Sequence, residues 1–304
     1  TMIRSYLLRK DGAASATVER PQHAYMRVAL GVCVAQPDRR GHEAEEGAFQ
    51  ARLARAFAVY DLLSTHKLTH ASPTVFNAGT RHPQLSSCFL LRVDDDLETL
   101  LQVDKDAGLI SKWAGGVGVG LTPMRAEGAP IRSTGGSSSG LRRYAAKLNA
   151  SQLYVNQGGL RPGAYALYLE PWHADVFTFL EMGLPKGPRF EQRKDGRLLK
   201  YALMIPDRFM RALIEEIDVS ERLRAGEEVP AEEVAAAGNW YLMSPDESPD
   251  LTEVYDERSI NHDDGPGGAF SLRYDKYIAE GRYREVVKAS AIVKEIIRAI
   301  SLTG

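Results

Sequence analysis

The feature that most constrains the fold of this chain is a series of glycine clusters between Gln84 and Ala164, where they repeatedly interrupt apolar segments. The clusters occupy residues 114–120, 133–140 and 156–164, and Cys88 stands near the start of the stretch. Glycine lets a main chain turn tightly and approach another group closely, because it carries no side chain. The pattern therefore predicts loops between helices and strands that hold the backbone against a ligand, and a phosphate or a sugar suits such loops best.

These clusters fit neither of the two common nucleotide-binding patterns. Glycines at 116, 118 and 120 do not have the spacing of the dinucleotide-binding fingerprint. The cluster 133–140 is followed by leucine and arginine, whereas a P-loop continues with lysine and a hydroxyl residue. The sequence therefore indicates neither a Rossmann site nor a P-loop.

The composition excludes several classes of protein. A chain of 304 residues with 44% hydrophobic residues can bury a substantial core, and a formal net charge of -2 is unlike the basic surface of a nucleic-acid binder. Two cysteines, Cys33 and Cys88, are too few for a disulfide framework and favour a reducing compartment. Since we find neither a bilayer-spanning apolar run nor a leader, we expect a cytoplasmic protein with no nucleic-acid or membrane partner.

Two regions differ in their hydrophobic periodicity. Apolar residues recur at three- and four-residue spacing before residue 70, for example at Phe49, Leu53 and Phe57, which predicts a helical domain over 1–70. Residues 71–304 alternate short apolar runs with helical patterns, and this hints at an α/β domain. We expect strands at 88–93, 164–169 and 200–205, the first buried and beginning at Cys88. We expect helices at 97–110, 141–148, 176–182, 209–217 and 285–300, and loop insertions at 218–238 and 256–273.

Some polar residues allow both a structural and a functional interpretation. Asp94–Asp96 precede a predicted helix, so a helix cap is the favoured role. Glu170, His173 and Asp175 fit an acid/base cluster, but no nucleophile stands nearby, and helix capping and hydrogen bonding in the core are favoured. The predicted helix at 285–300 is too apolar for an exposed element, so we expect another surface to cover it.

The order of several motifs closely resembles the large (alpha) subunit of class I ribonucleotide reductase. The motifs are Thr69–Thr80, Pro83–Leu91, Leu109–Val119, Asn156–Ala164 and Tyr168–His173. The resemblance implies an α/β fold in which a helical N-terminal domain is followed by the first part of a ten-stranded α/β barrel, incomplete in this chain.

The resemblance also implies roles at a substrate site. Cys88 matches one member of the thiol pair that reduces the ribose 2′ position and ends as a disulfide, which is chemistry suited to a buried thiol. The positions matching those that hold the substrate diphosphate are Ser72, Thr74, Ser87 and the amides around Gly116. Hydroxyl and backbone N–H groups suit that task because they bind oxyanions without a fixed charge partner.

A second set of positions matches the allosteric effector site, which takes a deoxynucleoside triphosphate or ATP with Mg²⁺. The matching residues are Asp95, Asp96, Leu97, Lys112, Arg125, Arg132 and Ser133. Gln157 and Arg161 match the adaptable loop that reports the bound effector to the substrate site. Helices near 97–110 and 137–155 match those of a homodimer interface. No metal site is expected in this chain, because its paired histidines lack a third ligand.

The sequence departs from the family pattern in one respect that bears on activity. The radical cysteine of the family lies in an Asn-x-Cys-x-Glu pattern, which does not occur among these 304 residues. We therefore expect this chain to be inactive alone and to need a C-terminal half as a separate chain. The other implied partners are a radical-generating small (beta) subunit with a dinuclear metal cofactor, and thioredoxin or glutaredoxin. The alternatives are a truncated or spliced product and a catalytically silent regulatory paralogue that only binds nucleotides.

Overall fold

The computed structural model describes residues 6–10, 16–34, 46–155, 163–184, 199–258 and 268–303. The chain divides into two compact units. The first unit comprises Thr1–Phe89, Ala107–Val117 and Gln152–Gly163, and the second comprises Leu90–Asp106, Gly118–Ser151 and Ala164–Gly304.

Helices and strands alternate after a purely helical beginning. The helices are α1 (Pro21–Cys33), α2 (Glu46–Ser64), α3 (Ser72–Asn77), α4 (Leu97–Lys112), α5 (Gly140–Tyr154), α6 (Val176–Met182), α7 (Asp207–Arg224), α8 (Ala231–Ala236), α9 (Asp250–Arg258), α10 (Ala269–Ala279) and α11 (Ala289–Thr303). The strands are β1 (Cys88–Arg92), β2 (Gly116–Gly120), β3 (Pro130–Ile131), β4 (Gly136–Ser137), β5 (Tyr165–Leu169), β6 (Lys200–Leu203), β7 (Asn239–Leu242) and β8 (Glu285–Lys288). No helix within the described ranges is long and apolar enough to cross a membrane.

The first unit has a small helical core. Val28 of α1, Leu63 of α2 and Ala78 after α3 are buried together. A side chain at Gly31 would lie 2.3 Å from the amide nitrogen of Gly79, so only glycine lets α1 come this close to the main chain after α3. The Arg27 guanidinium fixes the same main chain by donating to the carbonyl of Ala78 at 2.7 Å. Helices α1 and α2 agree with the helical character predicted for this region, whereas Arg9 and Thr17 form an antiparallel β-bridge before α1.

A four-stranded sheet with the order β1-β2-β5-β6 provides the framework for the rest of the chain. Strands β5 and β6 pair in parallel, with Leu167 opposite Tyr201. The predicted start of β1 at Cys88 is confirmed, but the prediction that this strand is buried is wrong. Strand β1 lies at the edge of the sheet, where burial alternates, and Leu90 keeps 80% of its surface exposed. An apolar run predicts burial on both faces only if something covers both faces.

Strand β2 is formed by a glycine cluster that we expected to be a loop, and that prediction is wrong. Val117 and Val119 are buried and supply the β-branched side chains that a strand favours. A side chain at Gly118 would come within 2.7 Å of Leu90 and 2.9 Å of Tyr168. The glycine therefore makes room for large side chains from neighbouring strands rather than for a turn.

The second half of the second unit is more regular than the sequence suggested. Helix α7 runs to Arg224 and α8 follows, so the loop expected over 218–238 is wrong. Helices α9 and α10 likewise occupy both ends of the expected loop at 256–273. The helix expected from residue 285 begins at Ala289, because residues 285–288 form β8, antiparallel to β7.

Candidate functional site

A cavity of about 610 Å³ in the second unit collects four residues of the predicted effector site. These residues are Asp95, Arg125, Arg132 and Ser133. Asp95 follows β1, whereas the other three belong to the segment between β2 and β4. The fold thus brings residues from two separate segments to one surface.

Asp95 and Arg125 are the central pair of this cavity. Arg125 Nε donates to Asp95 Oδ2 at 2.8 Å, and the main-chain N–H of Arg125 donates to Oδ1 at 3.1 Å. Arg125 Nη1 also donates to the Pro130 carbonyl. Burial raises the pKa of Asp95 above its usual value, and this effect outweighs the opposing hydrogen bonds and charge of Arg125. The guanidinium is therefore held in place but already has a carboxylate partner.

The other predicted effector residues, Asp96, Leu97 and Lys112, do not line this cavity. Asp96 directly precedes α4, and its carboxylate accepts the N–H of Thr99 at 2.9 Å. Hydrogen bonds from Thr99 lower the pKa of Asp96. The predicted helix-cap role is confirmed for this residue. The side chain of Leu97 is 71% exposed. Lys112 belongs to the first unit and places its ammonium 5.3 Å from the ring centroid of Trp113. Gln157 and Arg161 lie outside the described residues.

Sequence reasoning missed several charged residues that line the same cavity. They are Arg92, Asp94, Asp246 and Glu253. Asp246 stands in the run Ser-Pro-Asp-Glu-Ser-Pro-Asp after β7, a turn-forming composition that gives no sign of a ligand site. With three arginines and four carboxylates, the lining has no excess positive charge. Within the described ranges, no group of three or more histidine, cysteine or acidic side chains is arranged to hold a metal.

The candidate acid/base cluster is a buried hydrogen-bonding network. Trp172 Nε1 donates to the carboxylate of Glu170, and the main-chain N–H of Asp175 donates to His173 Nδ1 at 3.0 Å. Burial raises the pKa of Glu170 to about 8 and lowers that of His173. The favoured interpretation, hydrogen bonding in the core, is confirmed.

The predicted substrate-site residues all belong to the first unit. Cys88 is exposed, contrary to the burial expected for its chemistry, and its Sγ lies 3.6 Å from Ser87 Oγ. Thr74 Oγ1 donates to the Leu85 carbonyl at 2.9 Å, and Ser72 Oγ lies 3.1 Å from the Tyr6 hydroxyl. The N–H of Gly116 donates to the Ser87 carbonyl at 2.8 Å. This amide proton and the Thr74 hydroxyl proton are therefore engaged within the protein, whereas the Ser72 and Ser87 hydroxyls can still donate to an oxyanion.

The two helices predicted to form a dimer interface are joined by polar contacts within the second unit. Lys147 Nζ donates to Asp104 at 2.7 Å, and Ser151 Oγ donates to the same carboxylate at 2.6 Å. The Tyr144 hydroxyl donates to the Leu100 carbonyl at 2.9 Å. Large apolar side chains nevertheless remain exposed on these helices, namely Leu97, Leu101, Leu109, Leu153 and Tyr154. Exposed apolar side chains are typical of surfaces that bind another protein, and dimerisation stays a prediction.

Comparison with known proteins assigns both parts of the chain. The family model described as the all-alpha domain of ribonucleotide reductase matches residues 1–83, and the model of the barrel domain matches residues 86–304. The chain belongs to the ribonucleotide reductase family, and its α/β part corresponds to a portion of the barrel domain. A helical N-terminal domain followed by part of the barrel is the fold that the motifs implied.

The similar proteins within that family are large subunits. The chain is 44% identical over 306 residues to the ribonucleoside-diphosphate reductase large subunit of African swine fever virus (isolate Tick/Malawi/Lil 20-1/1983), covering 100% of this chain and 35% of the relative. It is 40% identical to the large subunit from Danio rerio, covering 32% of that protein, and 38% identical to large chain 2 from Saccharomyces cerevisiae, covering 29%. The chain thus spans about a third of the length of these curated relatives.

Proposed function

We propose that this chain is the nucleotide-binding, thiol-bearing part of a ribonucleoside-diphosphate reductase large subunit. The observation that carries the proposal is the cavity shared by Asp95, Arg125, Arg132 and Ser133, which are positions that the family resemblance assigns to one effector. The assembled enzyme reduces ribonucleotides to deoxyribonucleotides by radical chemistry, and its effector selects the substrate.

The lining of the cavity contains donors for the polyphosphate end of a nucleoside triphosphate. Arg125 and Arg132 supply charge for phosphate oxygens, and the Ser133 hydroxyl adds a neutral donor. Asp95 suits the base and sugar. Because four carboxylates line the same space as three arginines, a bare triphosphate meets no net attraction. Magnesium would accompany the nucleotide through its phosphates, since the described residues provide no metal-binding group of their own.

The thiol of Cys88 provides the reducing half of the proposed chemistry. In the proposed reaction Cys88 and a second cysteine of the assembled enzyme lose two electrons and two protons and become a disulfide. The ribose 2′ hydroxyl takes one proton and leaves as water, and C2′ takes the two electrons and the other proton to form a C–H bond. Thioredoxin or glutaredoxin then returns the disulfide to thiols. A reducing compartment, the cytoplasm, suits this cycle. Further proposed partners are a second copy of the chain, the radical-generating small subunit and the remaining part of a large subunit.

Binding of ATP to the purified chain tests the effector site directly. Substitution Arg125→Ala should weaken ATP binding about 10- to 100-fold in calorimetry, since a charge-assisted contact contributes about 1.5 to 3 kcal/mol. Arg143→Ala is the matched control, because Arg143 is exposed on α5 and does not line the cavity. Equal affinity of wild type and Arg125→Ala contradicts the assignment.

The thiol is tested separately, in an assembly supplied with the remainder of a large subunit, the small subunit and thioredoxin. Substitution Cys88→Ser should abolish formation of deoxyribonucleotides and leave ATP binding unchanged. Cys33→Ser serves as the control for loss of a thiol. If the wild-type assembly binds ATP yet forms no deoxyribonucleotide, the chain is a regulatory nucleotide-binding protein instead.

A further inference from the structure

The main chain that carries Arg125 is fully hydrogen-bonded. From the carbonyl of Met124 to the carbonyl of Glu127, each main-chain polar group has a partner within the second unit. These partners are His173 Nε2 for Met124 O (2.7 Å), Asp95 for Arg125 N (3.1 Å), Ser138 Oγ for Arg125 O (3.4 Å), Ser244 Oγ for Ala126 N (3.0 Å), Ala129 N for Ala126 O (3.2 Å), Asp175 for Glu127 N (3.1 Å) and Arg284 Nη1 for Glu127 O (3.1 Å). Because all seven consecutive groups are hydrogen-bonded, this segment has little conformational freedom.

Two buried side chains, Ser244 and Asp175, accept hydrogen bonds from the two main-chain N–H groups that directly follow Arg125. Ser244 has no exposed surface and accepts the N–H of Ala126, and its own hydroxyl donates to Asp246. Asp246 lines the cavity. One hydroxyl thus connects the segment bearing Arg125 to another wall of the same cavity.

Asp175 extends this support to the next helix. Its carboxylate accepts the N–H of Glu127 and also, at 3.2 Å, that of Leu141 in the first turn of α5. Gly140 has a φ of +64°, and a side chain there would lie 2.8 Å from Asp175 Oδ2. Glycine is therefore required for the carboxylate to reach both amides.

His173 completes the network in its neutral form. Its Nδ1 accepts the N–H of Asp175, so the ring proton lies on Nε2, which donates to the Met124 carbonyl. The ring is fully buried, and burial lowers its pKa. The network thus needs no charge on this imidazole.

We propose that Ser244 and Asp175 are positioning residues that fix the main chain of 124–127 and so direct the Arg125 guanidinium into the nucleotide cavity. The inference rests on the proposed effector site. Loss of the Ser244 hydroxyl leaves the buried N–H of Ala126 without an acceptor, which favours movement of the segment. Arg125 then leaves its fixed orientation although its own side chain is unchanged.

ATP affinity in single and double variants provides the first test. Ser244→Ala should weaken ATP binding about tenfold, the order expected for an unsatisfied buried N–H. In an Arg125→Ala background the same substitution should have no further effect, because it acts through that guanidinium. Ser271→Ala is the control, since Ser271 is equally buried but its hydroxyl meets Arg211 and not this segment. Wild-type affinity in Ser244→Ala, or an equal loss in both backgrounds, overturns the inference.

A second measurement is independent of nucleotide binding. The Nε–H resonance of Arg125, identified by its disappearance in Arg125→Ala, should exchange with water at least fivefold faster in Ser244→Ala than in wild type or Ser271→Ala. An unchanged exchange rate overturns the positioning role whatever the ATP affinities are. If Arg125→Ala binds ATP normally while the exchange rate of Arg125 Nε–H rises in Ser244→Ala, the effector site is wrong and the positioning of Arg125 stands.

Discussion

Arg125 makes a two-point contact with Asp95, its guanidinium donating to one carboxylate oxygen at 2.8 Å and its main-chain N–H to the other at 3.1 Å. The two side chains keep 25% and 29% of their surface exposed, so solvent weakens the pair. A phosphate that enters the cavity must compete with Asp95 for the guanidinium. The carboxylate therefore orients the arginine and at the same time opposes anion binding.

Removal of the Asp95 charge should strengthen binding of a ligand that has phosphates but no base or sugar. We expect Asp95→Asn to bind inorganic tripolyphosphate about fivefold more tightly than wild type, the order expected for one partly exposed ion pair. Titration calorimetry at two salt concentrations measures this, and the gain should shrink at high salt. Asp94→Asn removes the same charge from the cavity lining without touching Arg125. An equal gain in both variants would mean that net charge alone, and not the pair, controls affinity.

The sequence predicted this site only partly. Asp95, Arg125, Arg132 and Ser133 follow from family motifs, and no spacing rule places residues from both sides of β2 around one cavity. Asp246 and Glu253 enter the site through the path of the chain after β7, about 115 residues beyond Ser133. Local composition carries no information about such a contact, because the tertiary fold creates it.

Glu170 should make the stability of the protein fall as pH rises. Its folded-state pKa of about 8 lies above the usual 4.5, so its contribution is fully present below pH 4.5 and is lost through pH 8. The unfolding free energy of wild type should therefore fall, relative to Glu170→Gln, by up to about 1.4 kcal/mol per pH unit between pH 5 and 8. Urea unfolding at several pH values measures it through tryptophan fluorescence, since Trp172 and Trp240 are both buried. Parallel pH profiles for the two proteins would show that Glu170 is ionised in the folded state.

A side chain at Gly118 should destabilise the protein more than a side chain at Gly120 in the same strand. A Cβ at Gly118 would lie 2.7 Å from Leu90 and 2.9 Å from Tyr168, but one at Gly120 would meet only the Leu91 carbonyl at 3.8 Å. We expect Gly118→Ala to lower the unfolding free energy by about 1 to 3 kcal/mol and Gly120→Ala to lower it by less than about 1 kcal/mol. Denaturant unfolding of both variants compares them directly. Equal losses would indicate a backbone effect common to both positions.

The sheet also shows where sequence reasoning about the fold stops. Apolar runs located β5 and β6 correctly, although only β5 carries buried side chains and those of β6 are partly buried or exposed. Glycine signalled a loop at 116–120, yet these residues form β2, in which Gly118 faces large side chains of two other strands. Strand β8 was missed because Val286 and Val287 continue the apolar pattern of α11, and only pairing with β7 separates them. Periodicity cannot register a partner strand 46 residues away.

Helix α11 should contain one apolar surface that supports the fold and another that does not. Ile292 is fully buried, whereas Ile297 and Ile300 are 58% and 63% exposed. Ile292→Ala should therefore lower the unfolding free energy by about 2 to 5 kcal/mol, and the double substitution Ile297→Lys with Ile300→Lys should change it by less than about 1 kcal/mol. The double variant should also self-associate less in analytical ultracentrifugation, because exposed isoleucines are the surface that another molecule would cover. Destabilisation of the double variant to the extent seen for Ile292→Ala would mean that both isoleucines are packed within this chain.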